Sequence, residues 1–127
     1  MTAPPRPTPA ELEILRLLWE NGPSTVREIQ ERMEQQRPTG YTTALKLLQI
    51  MTDKGLVRRD ETARAHVYAA GAPEDQTQRQ LVRDLLDRAF GGSSSRLVMR
   101  ALSSRKATPE ELDRIRALLD EIEGGKR

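Results

Sequence analysis

Three times along the chain a threonine is followed three residues later by a glutamate, and each time a run with apolar residues every three or four positions begins. The pairs are Thr8 with Glu11, Thr25 with Glu28, and Thr108 with Glu111. In such a pair the hydroxyl accepts from the third helical N–H, and the carboxylate reaches back to the threonine's own N–H. Two donors left over at a helix start are thereby satisfied together. Pro9 and Pro109 strengthen two of these starts, because proline's fixed φ and missing N–H suit the first helical position. A chain punctuated in this way is committed to helices opening near residues 9, 26 and 109, and therefore to a mainly α fold.

The apolar spacing fills in the remaining elements. In the first helix Leu12, Leu15, Leu18 and Trp19 recur at helical spacing, flanked by Ile14 and Leu17, until Asn21-Gly22-Pro23 ends it. The second helix starts at Thr25 with a narrow stripe of Val26, Ile29 and Met33, and breaks at residues 37–40. A third helix is expected over Tyr41–Lys54, with Ala44, Leu47, Leu48 and Met51 facing the core. Its opposite face carries Tyr41, Thr42, Leu45, Lys46 and Gln49, and Gly55 is a natural residue to close it. Residues 56–59 then read as a strand, 60–64 as a turn and 66–69 as the returning strand. Three helices followed by a β-hairpin is the plan of a winged helix-turn-helix.

After the linker Gly71-Ala72-Pro73, three more helices are expected. One spans 74–90 with Leu81, Val82, Leu85, Leu86 and Phe90, and a second spans 94–102 with Leu97, Val98, Ala101 and Leu102. The third opens at Thr108 and carries Leu112, Ile115, Leu118, Leu119 and Ile122. The expected organisation is a disordered proline-rich tail over 1–7, a winged-helix DNA-binding domain over 8–72, and a helical dimerisation region over 73–127. The fold class is mainly α with a small β-hairpin.

Composition narrows the function. The chain has no cysteine and a single histidine, His66, so thiolate chemistry is absent and no metal site of ordinary spacing is available. No glycine-rich phosphate loop is present, and the paired carboxylates Asp60 and Glu61 fall in the predicted wing turn. No catalytic constellation, cofactor or metal is expected. The N-terminus has no apolar run, and no stretch approaches the ~20 apolar residues of a membrane span, so a soluble cytoplasmic protein is expected, with no membrane insertion. Charge is unevenly distributed. Residues 37–68 hold six basic side chains against three acidic, whereas residues 108–127 hold four against six. The basic middle coincides with the third helix and the hairpin, where a major-groove reader and its wing would carry cations.

The DNA-contacting candidates follow from that placement. They are Thr25 at the second helix's start, Tyr41, Thr42, Thr43, Leu45, Lys46 and Gln49 on the third helix, and Arg58, Arg59, Arg64 and His66 in the wing. Threonine can reach a phosphate or a thymine methyl, glutamine can pair with adenine, and lysine with guanine or phosphate. A winged helix serving protein interaction without DNA is the alternative. For the C-terminal stripes, apolar residues make up only 36% of the chain and few aromatics occur, so pairing with a second copy is the expected way to complete the core. The dimerisation candidates are Leu81, Leu85, Phe90, Leu97, Leu112, Ile115, Leu118, Leu119 and Ile122.

The order and spacing of several segments carry a resemblance. Glu13-Ile14-Leu15, Leu18-Trp19, Gly22, Thr25-Val26-Arg27-Glu28-Ile29, Tyr41-Thr42-Thr43, Lys54-Gly55-Leu56-Val57 and His66-Val67-Tyr68 together resemble the penicillinase repressor family, the BlaI/MecI/CopY group. The resemblance spans about residues 8–122. It implies a homodimeric repressor of a dyad operator, with regulated genes for β-lactam resistance or copper handling. It places the family's base-reading positions on Thr42, Thr43, Leu45 and Lys46, with Leu45 standing where some members have arginine. It also implies a membrane sensor protease as a possible partner, with cleavage at the Arg100–Ala101 bond where some members have Asn-Phe. The copper branch uses a cysteine motif, which this chain lacks.

Overall fold

The structure, a computed structural model, describes residues 6–125 of the 127. Of the expected disordered tail, residues 1–5 lie outside the described residues. The chain divides into two compact units, one ending at Val82 and the other beginning at Arg83.

The first unit contains α1 (Pro9–Asn21), β1 (Ser24–Thr25), α2 (Val26–Glu34), α3 (Tyr41–Lys54), β2 (Val57–Asp60), β3 (Val67–Ala70) and the opening turns of α4 (Glu74–Ala89). Both of its capping boxes close. The Glu11 N–H donates to Thr8 Oγ1 at 3.2 Å while the Thr8 N–H donates to Glu11 Oε1 at 2.9 Å, and Thr25 with Glu28 repeats the pattern at 3.2 and 2.8 Å. The turn between α2 and α3 is fixed by side chains of α2: the Thr39 N–H donates to Glu34 at 2.7 Å, and the Gln30 amide donates to the Thr39 carbonyl at 2.9 Å. Helix α3 ends because Gly55 adopts φ 80°, a left-handed conformation that needs no Cβ, and Leu56 N–H then folds back on the Met51 carbonyl at 2.9 Å.

The sheet is three-stranded and antiparallel, in the order β1-β3-β2. This extends the expected hairpin. Ser24 and Thr25 pair with Tyr68 and Val67, so the N-cap of α2 is also a rung of the sheet. The hairpin strands run one residue later than expected, Val57–Asp60 against Val67–Ala70, with Val57 opposite Ala70. Leu56 is consumed in closing α3, which is why β2 cannot start there, and His66 lies just before β3 rather than in it.

The core of this unit joins Ile14, Leu15 and Leu18 of α1 to Ile29 and Met33 of α2, Ala44, Leu48 and Met51 of α3, Val57 and Tyr68. Leu47, expected fully inside, is only partly buried, and Leu45, expected on the outward face, packs partly against the core. The two leucines flank the buried row Ala44–Leu48–Met51 on either side, so each occupies a border of the helix rather than a face. One ion pair crosses this core's edge: Lys54 Nζ at the end of α3 lies 2.9 Å and 3.0 Å from the two carboxylate oxygens of Glu11, which is 2% exposed. The sole tryptophan, Trp19, donates its Nε1–H to the Ala72 carbonyl at 3.0 Å and anchors the segment leaving the sheet.

The second unit holds the rest of α4, α5 (Ser94–Ser104) and α6 (Pro109–Gly124). The third capping box closes here, at 3.1 Å in both directions. Gly91 and Gly92, both at positive φ, separate α4 from α5. Neither α5 nor α6 has a single buried residue.

Candidate nucleic-acid interface

Helix α3 docks on the core through one row of side chains and therefore presents the reverse side to solvent. Tyr41, Thr42, Thr43, Lys46 and Gln49 are all exposed, with Thr42, Lys46 and Gln49 on the side opposite Ala44 and Leu48. Gly40 caps this helix without a side-chain hydrogen bond.

Beside that face lies an open groove of about 410 Å³, lined by Thr25, Val26 and Arg27 at the start of α2, Tyr41 and Leu45 of α3, and Arg64, Ala65, His66 and Tyr68 of the wing. The groove brings together five of the eleven sequence-derived candidates: Thr25, Tyr41, Leu45, Arg64 and His66. It also adds Arg27, which the periodicity did not single out. The Arg27 guanidinium sits 5.8 Å from the centroid of the Tyr41 ring, within cation–π range. The only sequence signal for it was a cation one residue beyond the first helical position of α2. Thr25 contributes its hydroxyl to the cap of α2, so that group is committed to Glu28.

The wing's cations are not equivalent. Arg59 is held by Tyr68 and by Glu61, whose carboxylate is 2.7 Å away; the hydrogen bond to Tyr68 first, and then the charge of Glu61, raise its pKa above the ordinary arginine value. Arg58, Arg64 and Lys46 have no carboxylate partner among the described residues. Asp60 does not merely decorate the turn. Its Oδ1 accepts from the Thr62 N–H at 2.9 Å and the Thr62 hydroxyl at 2.7 Å, which lowers its pKa and shapes the wing tip. Arg37, counted among the basic residues of the middle segment, is paired with Glu13 at 2.9 Å and does not belong to this face.

A helix-turn-helix with its outward face lined by hydroxyl, amide and ammonium groups, flanked by a wing with free guanidinium groups, has the form of a winged-helix reader of duplex DNA. Comparison with known proteins agrees: the model of the family described as penicillinase repressor matches residues 7–121. The chain belongs to the penicillinase repressor family. Among its relatives, the transcriptional regulator BlaI of Mycobacterium tuberculosis is 31% identical over 116 residues, covering 91% of this chain and 83% of that protein. The penicillinase repressors of Staphylococcus aureus and Bacillus licheniformis are 19% and 20% identical, covering 89% and 97% of this chain and 90% and 96% of their own lengths. In fold, the chain is similar to H. salinarum RosR, with a TM-score of 0.52 at 19% identity, over 93% of this chain and 94% of that one.

The other candidates of this family member fall as follows. Leu81, Phe90, Leu97, Leu112 and Ile115 are partly buried, while Leu85, Leu118, Leu119 and Ile122 are 46%, 54%, 53% and 52% exposed. Arg100 and Ala101 are exposed in the middle of α5, in regular helix. Among the described residues no group of His, Asp or Glu is placed to hold a metal, and no helix is long and apolar enough to cross a membrane.

Proposed function

We propose that this chain is a transcriptional repressor that acts in the cytoplasm and binds a palindromic operator as a homodimer, and that it is not an enzyme. The observation that carries the reading is the juxtaposition of the exposed Thr42–Lys46–Gln49 face with a wing whose Arg58 and Arg64 have no carboxylate partner among the described residues. In this reading Thr42, Thr43, Lys46 and Gln49 meet base edges and nearby phosphates. Arg58, Arg59, Arg64, His66, Arg27 and the start of α2 at Thr25 meet the backbone. Residues 8–72 are the DNA-binding domain and 73–127 the dimerisation region.

Support for the homodimer comes from the second unit. Two helices with sustained apolar stripes and no buried residue have not completed a core within one chain. A two-fold partner supplies the missing surface and doubles the recognition helix, which matches a dyad operator. Release of repression by a membrane sensor protease at the Arg100–Ala101 bond is part of the proposal. That bond is solvent-exposed but helical, so cleavage there requires a turn of α5 to unwind first.

The test is a fluorescence-anisotropy titration of random duplex across salt concentration. A DNA reader binds with an affinity that falls steeply with salt, and Arg58→Ala combined with Arg59→Ala lowers the slope by about 0.9 per lost phosphate contact in B-DNA. Affinity that is absent at low salt, or a slope untouched by the wing variant, refutes the assignment; the first outcome favours a protein-interaction module.

A further inference from the structure

One face of α2 is given over, turn after turn, to the segment that opens α3. Arg27, Gln30 and Glu34 follow one another at spacings of three and four, so they share that face. Glu34 accepts from the Thr39 N–H at 2.7 Å, and the Gln30 amide donates to the Thr39 carbonyl at 2.9 Å. Arg27 holds its guanidinium 5.8 Å from the centroid of the Tyr41 ring. The first two bonds fix the turn and set Tyr41, the first residue of α3, against the opening of α2. The third contact differs in kind, because it joins two exposed side chains and leaves a whole charge at the surface. Arg27 makes no ion pair among the described residues, although Glu31 stands four positions further along the helix.

What holds a guanidinium decides what it can still do. A carboxylate cancels its charge and takes up its N–H donors, as Glu61 does for Arg59 at 2.7 Å. An aromatic face attracts the cation through its quadrupole and leaves the charge whole. The surroundings of Arg27 suit an anion. Thr25 pairs with Val67, and that antiparallel register, carried on past the strand ends, sets residues 26 and 27 beside residues 65 and 66. The groove so formed is lined by Arg27 of α2, Tyr41 of α3, and Arg64 and His66 of the wing, and none of its lining residues is a carboxylate.

We propose that Tyr41 is a positioning residue for Arg27. Its ring holds the guanidinium over the groove with the charge intact, so that Arg27 from α2 and Arg64 from the wing close from two sides on one strand of a duplex backbone. The advantage is entropic. A loose arginine gives up its rotamers when a phosphate arrives, whereas one already laid over a ring has given up most of them beforehand. The inference rests on the DNA reading above and adds a role for Tyr41 that is neither a base contact nor a phosphate contact. The ring touches the arginine, and the arginine touches the DNA.

Anisotropy titrations of random duplex with the full chain, at several salt concentrations, test this. Tyr41 is 46% exposed and lies outside the buried core, so its variants fold, which urea unfolding followed by Trp19 fluorescence verifies. Tyr41→Leu removes the ring, and affinity is expected to fall by about two- to fivefold, the strength of an exposed cation–π pair written as a ratio. Its salt slope stays near the wild-type value, because Arg27 still reaches its phosphate. Arg27→Ala weakens binding further and lowers the slope by about 0.9. Once Arg27 is alanine, Tyr41→Leu changes nothing more. Tyr41→Phe keeps the ring and binds as the wild type does. A Tyr41→Phe loss as large as that of Tyr41→Leu overturns the proposal, since the hydroxyl is then a direct contact. Additive losses overturn it too, because the two side chains then act separately. So does a Tyr41→Leu variant that is less stable in urea yet binds DNA unchanged, which marks the pair as a brace for the turn. In all three cases the DNA reading stands. A wild-type chain with no affinity for duplex at low salt overturns that reading and the positioning role with it.

Discussion

Replacing Lys54 with methionine is the sharpest test of how the first unit is held together. The Glu11 carboxylate is 2% exposed and accepts from Lys54 at 2.9 and 3.0 Å and from the Thr8 N–H at 2.9 Å. Breaking a fully buried pair by removing one partner costs about 3–5 kcal/mol, because the remaining charge is stranded. Lys54 is 30% exposed, which lets water reach the site and reduces the expected loss to about 2–3 kcal/mol. At ~4–8 °C per kcal/mol for a domain of this size, Tm falls by about 8–24 °C. Burial alone raises the Glu11 pKa, but the Thr8 N–H and the Lys54 ammonium outweigh it and hold the carboxyl below its ordinary value. With the native pKa depressed, this contribution is complete above the unfolded carboxylate value of about 4.3 and is lost as pH falls through the native one. In Lys54→Met the balance reverses: burial dominates, the carboxyl protonates readily, and the gap from wild type narrows between pH 7 and about pH 4. Glu11→Gln leaves a lysine that water can still solvate and an amide that can still close the capping box, so it costs only about 1 kcal/mol. Urea unfolding followed by Trp19 fluorescence at fixed protein concentration reads all of these. A Lys54→Met deficit that stays constant over that pH range, or a Glu11→Gln loss as large, would refute the reasoning.

Further outcomes follow from single contacts. A Cβ on Gly71 would lie 2.6 Å from the Gly55 carbonyl oxygen and 3.0 Å from that of Leu56, both backbone atoms, so Gly71→Ala is expected to lower stability by about 1–3 kcal/mol in the same urea assay. Arg27→Ala removes the cation from the groove beside α3, and DNA affinity should fall with a salt slope reduced by about one phosphate contact, measured by anisotropy. Truncation after Val82, where the first compact unit ends, should give a folded monomer with much weaker operator affinity; a dimer in sedimentation contradicts the assignment of the interface.

What the sequence revealed and what it hid follow the range of the interactions involved. All three capping boxes form because they depend on residues three apart, and their hydrogen bonds need nothing from the rest of the chain. The buried row of α3 was legible for the same reason. Strand β1 was not, since two residues between Pro23 and Val26 carry no period and acquire strand character only from Tyr68 and Val67. Arg27 over Tyr41, Arg37 with Glu13 and Lys54 with Glu11 were equally hidden, being contacts between residues 14, 24 and 43 positions apart. Thus the sequence located the third helix and its hairpin. It could not say which of their cations are already committed inside the protein. Helix α5 runs to Ser104 rather than Leu102, and the hydroxyls of Ser103 and Ser104 donate to the Arg100 carbonyl.

The small number of uncommitted cations has a consequence for how such a protein works. One winged unit offers Lys46, Arg58 and Arg64 outright, with Arg27 and Arg59 already engaged by Tyr41 and by Glu61 and Tyr68. A handful of phosphate contacts supports non-specific dissociation constants of about 10⁻⁴–10⁻⁶ M at physiological salt. If a half-site holds one unit at about 10⁻⁵ M and the linked second unit is present at an effective concentration near ~1 mM, the dimer gains about 100-fold. The salt slope doubles with it, since twice the phosphates are engaged. In the proposed homodimer, operator occupancy would therefore be controlled from the second unit as much as from α3. Whatever separates the two copies, including the proposed cleavage at Arg100–Ala101, removes the linkage factor without touching the proposed DNA-contacting residues.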